Sequence, residues 1–167
     1  MTFQLAKETP TLITEMVARE SGVLFSRLVG FDDVEDRHYS VVVTLDLMPG
    51  LDYELSFFLE EFDTTNDSVF QYWRATDVVG FIPPPERKVI LAIVLRLVTA
   101  AVQQVMPERI YMCSRGDSRS EREEMKYSLI ALAIEMCGYR VRKPDRYHDQ
   151  RIWWMDREVI EAASIGR

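Results

Sequence analysis

The chain predicts an α/β (α+β) domain: a mixed, largely antiparallel sheet with one βαβ-like crossover. Three observations carry this. Residues 38–62 hold two β-rich runs, "HYSVVVTLDL" and "LDYELSFFLEEF", joined at Met-Pro-Gly, the pattern of an antiparallel hairpin. Two long helical patterns follow in the second half. A short apolar run, "ERIYMC", lies between them, and strand–helix–strand order implies a crossover.

The elements follow in chain order. "TPTLITEMVARESG" predicts a short helix, with Thr9 as cap, Pro10 at the first position and Gly22 as stop. Leu12, Ile13, Met16 and Val17 form its apolar stripe. "VLFSRLVGF" predicts a strand and "DDVEDR" a polar loop. The hairpin comes next, with Tyr53, Leu55, Phe57 and Leu59 on one face of its second strand. Glu54, Ser56, Phe58 and Glu60 take the other, as in a sheet covered on one side. "DTTNDS" is a loop, and "VFQYWRATDVVGFI" holds another strand, stopped by Pro83–Pro85. Residues 86–106 form a helix whose polar positions, Arg96, Thr99 and Gln103, occupy one narrow stripe. After the strand "ERIYMC", residues 120–137 form a second helix. Ser120 and Glu123 have capping-box spacing, and Gly138 ends the helix. Met125, Leu129, Leu132 and Met136 fall on one face of it. "YRVRK" and "RIWWMD" are strands joined by "PDRYHDQ"; a short tail follows.

At 167 residues, one domain spanning 1–167 is expected, large enough to bury a core without disulfide or metal. Its acidic, hairpin-rich half is 1–80, and 81–167 is the helix–strand–helix–strand half. Net charge is −7 but uneven: the first 80 residues hold 5 Lys/Arg and 15 Asp/Glu, the rest 15 and 12. An acidic face and a basic face would follow if folding keeps the halves apart. No N-terminal apolar run suggests a signal peptide, and "VILAIVLRLVTAAV" falls short of the roughly 20 residues that span a bilayer. The expectation is no membrane, with Cys113 and Cys137 as buried free thiols in a reducing cytoplasm.

Residues 78–139 resemble the core of the GNAT N-acyltransferase fold. The likeness rests on "VVGFI" as central strand, the long helix after it, "RIYMC" as the next strand, and a helix ending in "CGY" with Gly138-Tyr139 where that family often has Gly-Phe. The resemblance implies an acetyl-CoA pyrophosphate loop, Q/R-x-x-G-x-G/A, at the start of the long helix. That segment here is "PPPERKVILAIV", with no glycine and three prolines lacking N–H groups. Arg87 and Lys88 are the residues left to meet a phosphate if coenzyme A binds. The general-acid Tyr implied five residues before the aromatic is Ile134, and no Asn stands in "CSRGDS". No catalytic residue carries over.

Other candidates are weighed from their chemistry. Arg115, Ser118, Arg119 and Ser120 offer an anion site at a helix start, but Asp117, Glu121, Glu123 and Glu124 oppose it. Arg140, Arg142, Lys143, Arg146 and Arg151, with Tyr147, form a basic region that would suit nucleic acid or an acidic partner. The pI near 4.9 argues against general nucleic-acid binding, and a salt-bridged sheet face is the simpler reading. "DDVED" and "EEFD" lack metal-loop spacing and read as solvated charge. No zinc, Walker or G-x-S-x-G pattern exists, so no metal is expected. Trp153 and Trp154 point to opposite faces of one strand, so one is core and the other a candidate contact residue. The function expected is therefore a non-catalytic GNAT-like protein acting by protein–protein interaction or regulation, with a protein partner or a second copy and no cofactor. The alternatives are a divergent acyl-CoA-dependent N-acyltransferase for a cationic amine, and a nucleic-acid-associated factor.

Overall fold

A computed structural model describes residues 3–6, 15–50, 52–115, 121–142, 144–147 and 150–158. Ten strands and three helices appear among them: β1 (Gln4–Leu5), β2 (Glu15–Arg19), β3 (Gly22–Asp32), β4 (Arg37–Leu47), β5 (Tyr53–Asp63), β6 (Ser68–Tyr72), α1 (Ala75–Val78), α2 (Pro84–Val105), β7 (Arg109–Arg115), α3 (Glu121–Glu135), β8 (Tyr139–Val141), β9 (Asp145–Tyr147) and β10 (Gln150–Arg157). The fold is α+β. One mixed sheet runs β1-β3-β4-β5-β7-β10-β8, with β2 added to β3, β6 to β5 and β9 to β10. Every pairing is antiparallel except β5 with β7, which are parallel across α2.

The hairpin expected at Met-Pro-Gly is β4–β5, in continuous register from Leu47↔Tyr53 to Arg37↔Asp63. Its alternation decides what the sheet buries. Tyr39, Val41, Val43 and Leu45 of β4, with Leu55 and Leu59 of β5, face a core closed by Ile93, Val94, Leu97, Val98, Ala101 and Val102 of α2. Ile110 and Met112 of β7, Met155 of β10, and Ile130 and Ile134 of α3 extend the same core. At Gly30, beside an irregularity in the β3–β4 register, a Cβ would stand 2.4 Å from the Phe3 ring. Glycine there lets β1 lie against β3.

Three readings of local sequence are corrected. Residues 15–19 of the expected first helix are strand: Arg19↔Gly22 closes a tight turn, and pairing with β3 overrides the helical spacing of Met16 and Val17. The helix's other positions, Leu12 and Ile13, lie outside the described residues. "VVGFI" is not a strand. Val78 ends α1, and the Phe81 and Ile82 amides both bond back to the Val78 carbonyl, turning the chain into α2. Strand β6 stops at Tyr72, before this segment. Helix α2 is 22 residues, long and apolar enough by composition to cross a membrane; here it packs on β3, β4 and α3.

Candidate functional site

Helix α2 begins where the resemblance to acyltransferases would seat a pyrophosphate. Pro83 is its N-cap, with Pro84 and Pro85 as its first two residues. Neither has an N–H, and the Arg87 amide is bonded to the Pro83 carbonyl at 3.1 Å. Only the Glu86 amide of the first turn remains to offer. The Glu86 side chain adds a carboxylate there, with Oε2 buried and without a hydrogen-bond partner among the described residues. Lys88 is exposed and Arg87 half-buried. Two flexible cations remain where a nest of amides would be needed.

Strand β5 changes partner along its length. Strands β5 and β7 pair only through Tyr53↔Ile110 and Glu54↔Tyr111. Further along, β5 takes β6 as its neighbour, from Leu59↔Tyr72 to Asp63↔Ser68. Residues 55–58 lie between the two pairings. Aromatic pairs stand there on both faces: Phe57 against Tyr127 of α3 at 5.8 Å, and Phe58 against Trp73 at 4.4 Å. Lys126 Nζ lies 5.1 Å from the Phe57 ring and 4.8 Å from that of Tyr127.

A buried polar cluster at the far end of β4 and β5 was not foreseen. Glu61, 6% exposed, accepts from Tyr72 Oη at 2.7 Å and pairs with Arg37 Nη1 at 3.0 Å. Arg37 also meets Glu35 at 2.9 Å. Burial, and then the Glu61 charge, push the Tyr39 hydroxyl up to about 12; burial and Glu61 raise Tyr72 as well. "EEFD" is therefore not simply solvated charge. Asp32 of "DDVED" is also buried, accepting from the Val34 and Glu35 amides at 2.9 and 3.2 Å. The signal for Glu61 was present: it continues the Tyr53–Leu55–Phe57–Leu59 alternation onto the covered face. Among the described residues no group of three His, Cys, Asp or Glu converges as a metal site.

The basic region divides. Arg142 and Arg109 both pair with Asp156, while Arg151 pairs with Glu124 of α3 at 2.5 Å. Arg140 and Asp156 are cross-strand partners, whereas Arg151 lies opposite buried Ser114 on the helix-covered side. Arg140 is exposed. Trp153 packs against the core, with its Nε1 buried and without a hydrogen-bond partner among the described residues. Trp154 takes the other face, against Tyr111 at 5.3 Å and under Arg109 at 6.0 Å. It is half-buried by its own sheet. Arg115 ends β7; Ser118, Arg119, Ser120 and Lys143 lie outside the described residues.

Helix α3 presents the largest surprise. Its buried face is Ile130 and Ile134, both 0% exposed, with Ala131, Tyr127 and Cys137 beside them. Met125, Leu132 and Met136 do share a face with Leu129, but it points outward: they are 61%, 51% and 83% exposed. Both stripes have helical spacing, so periodicity alone could not choose between them. The choice falls to the β-branched residues, which fill the space against α2, β8 and β10. The outcome is an apolar seam on the surface of a well-packed helix.

Comparison with protein-family models, with curated proteins and with solved structures finds no match to this chain.

Proposed function

We propose that this protein acts by binding another protein chain rather than by catalysis, on a GNAT-like layout whose acyl-CoA machinery is missing. The observation that carries the reading is the outward apolar face of α3, exposed at Met125, Leu132 and Met136 with half-buried Leu129 between them, opposite that helix's buried face. Large apolar residues in one contiguous exposed stripe mark contact surfaces more often than scattered ones do. The layout is supported by strand order: an antiparallel run β3-β4-β5, a parallel step to β7 across α2, and β10 inserted between β7 and β8. Loss of cofactor binding is supported by the proline-led start of α2 and by the half-buried Glu86 carboxylate beside it. Cys113 and Cys137, both half-buried thiols, fit a reducing cytoplasm, the location we infer.

The alternative, a divergent acyl-CoA-dependent N-acyltransferase, is favoured by one feature, the short pairing of β5 with β7. Thermal unfolding with acetyl-CoA separates the two, because a ligand of the native state raises its melting temperature. No shift at millimolar acetyl-CoA is expected. A saturable rise, lost on substituting Arg87 and Lys88, would overturn the non-catalytic reading.

A further inference from the structure

We infer that the occupant of the α3 seam is a second copy of this chain, paired antiparallel through α3 about a two-fold axis. The inference rests on the protein-binding reading above and names its partner. Three observations on this helix point to it. First, the seam residues are spaced four, three and four apart, which sets all four in one line along the helix, as packing against a second helix requires. Second, the seam is self-complementary when reversed. An axis midway between Leu129 and Leu132 sets Met125 against Met136 of the second copy, and Leu129 against Leu132, so both ends of the seam meet at once. Third, the flanks tolerate this alignment. In an antiparallel pair like flanks face each other, so Lys126 lies by Ala133 of the second copy and Glu135 by Ser128. Of the other carboxylates on that side, Glu124 pairs within its own chain with Arg151 at 2.5 Å, and Glu121, at the start of α3, falls beyond the end of the second copy's helix in this alignment. No like charges oppose one another, despite a chain whose net charge is −7.

Helix α3 is about 22 Å long, and a four-residue seam falls below the roughly 800 Å² per partner of a standard interface. The dimer is therefore expected to dissociate on dilution. Analytical ultracentrifugation of the full chain, with Leu132→Glu alongside, tests the pairing. The expected result is a concentration-dependent dimer that Leu132→Glu turns into a monomer whose melting temperature matches that of the unsubstituted chain diluted to monomer. Direction is tested by oxidation of cysteine variants against the native thiols as background. Met125→Cys chains mixed with Met136→Cys chains should cross-link, whereas Met136→Cys alone should not. Its two thiols would stand about 16 Å apart along the helix axis, beyond the reach of a disulfide. A monomer at every concentration overturns the pairing, as does a dimer indifferent to Leu132→Glu. A monomer that Leu132→Glu destabilises would mean that this chain covers its own seam, and overturns it too. The acetyl-CoA measurement is separate: a shift there would fail the non-catalytic reading while leaving a dimer standing.

Discussion

At the scale of single residues, two ion pairs of similar geometry should differ widely in worth. Glu61 is buried and shared between Arg37 and the Tyr72 hydroxyl, whereas Arg142 reaches Asp156 from the surface. Removing a partner from a buried carboxylate leaves a charge with no water to replace it. Arg37→Met is therefore expected to cost about 1–3 kcal/mol in chemical denaturation. Arg142→Met should cost less than about 1 kcal/mol, because exposed pairs are screened; equal losses would mean Glu61 is wetter than its surroundings imply. The tyrosines give a pH signature. Tyr39, Tyr111 and Tyr139 are all pushed up to about 12, chiefly by burial, with Glu61 adding to the effect at Tyr39 and Glu54 at Tyr111. In the unfolded chain a tyrosine ionises near about 10, so the folded state holds protons the unfolded one has lost. Their contribution to stability should be complete below about pH 10 and vanish as pH rises toward about 12. Ultraviolet titration should show these three phenols ionising late; ordinary titration of all seven tyrosines would count against the packing around them. Asp156 acts in the acid range. Burial opposes its ionisation, but Arg109 and Arg142 prevail and hold its carboxyl below the usual range, so its contribution is lost as pH falls through that lowered value.

At the scale of elements, α3 makes the sharpest statement. Ile134→Ala removes side-chain volume from a fully buried site and should cost about 2–4 kcal/mol, whereas Leu132→Ala should change the stability of the isolated chain by less than about 0.5 kcal/mol. Reversed magnitudes, measured by urea unfolding at low protein concentration, would place the wrong face against the core. Much of the element pattern was legible. The β4–β5 hairpin announced itself by period-two alternation around Met-Pro-Gly, and α2 by its prolines at the start and Pro107 beyond its end. The failures have physical reasons. Residues 15–19 carry helical spacing but sit beside an 11-residue strand with which they can pair. "VVGFI" is as β-prone as any strand, yet β6 has already ended and the chain must turn back toward α2. In α3 two apolar stripes compete, and packing rather than periodicity selects one. The candidate site was legible in its residues, since Met125, Leu129, Leu132 and Met136 were grouped correctly, but not in its exposure. Arg140, Arg142 and Arg151 were grouped by sequence proximity, whereas pairing in β10 sends Arg151 toward α3 and Arg142 toward Asp156.

At the scale of the whole molecule, the charge asymmetry along the chain is partly absorbed within the sheet. Arg109 and Arg142 from the second half bracket Asp156, and Arg109 also lies 3.6 Å from Asp52 of the first half. Two of the basic residues that would suit nucleic acid, Arg142 and Arg151, are thus already engaged. What remains outward and apolar on α3 is the seam, and the account turns on whether that seam makes the contacts. Methionine-methyl NMR over a dilution series reads this directly, because the methionines sample distinct environments. Met112 and Met155 are in the core, Met16 and Met106 are exposed elsewhere, and Met125 and Met136 are on the seam. The account expects the Met125 and Met136 methyl signals to move with protein concentration while those of Met16, Met106, Met112 and Met155 stay fixed. Seam signals that never move, or a shift that begins at Met16 or Met106 instead, would contradict it.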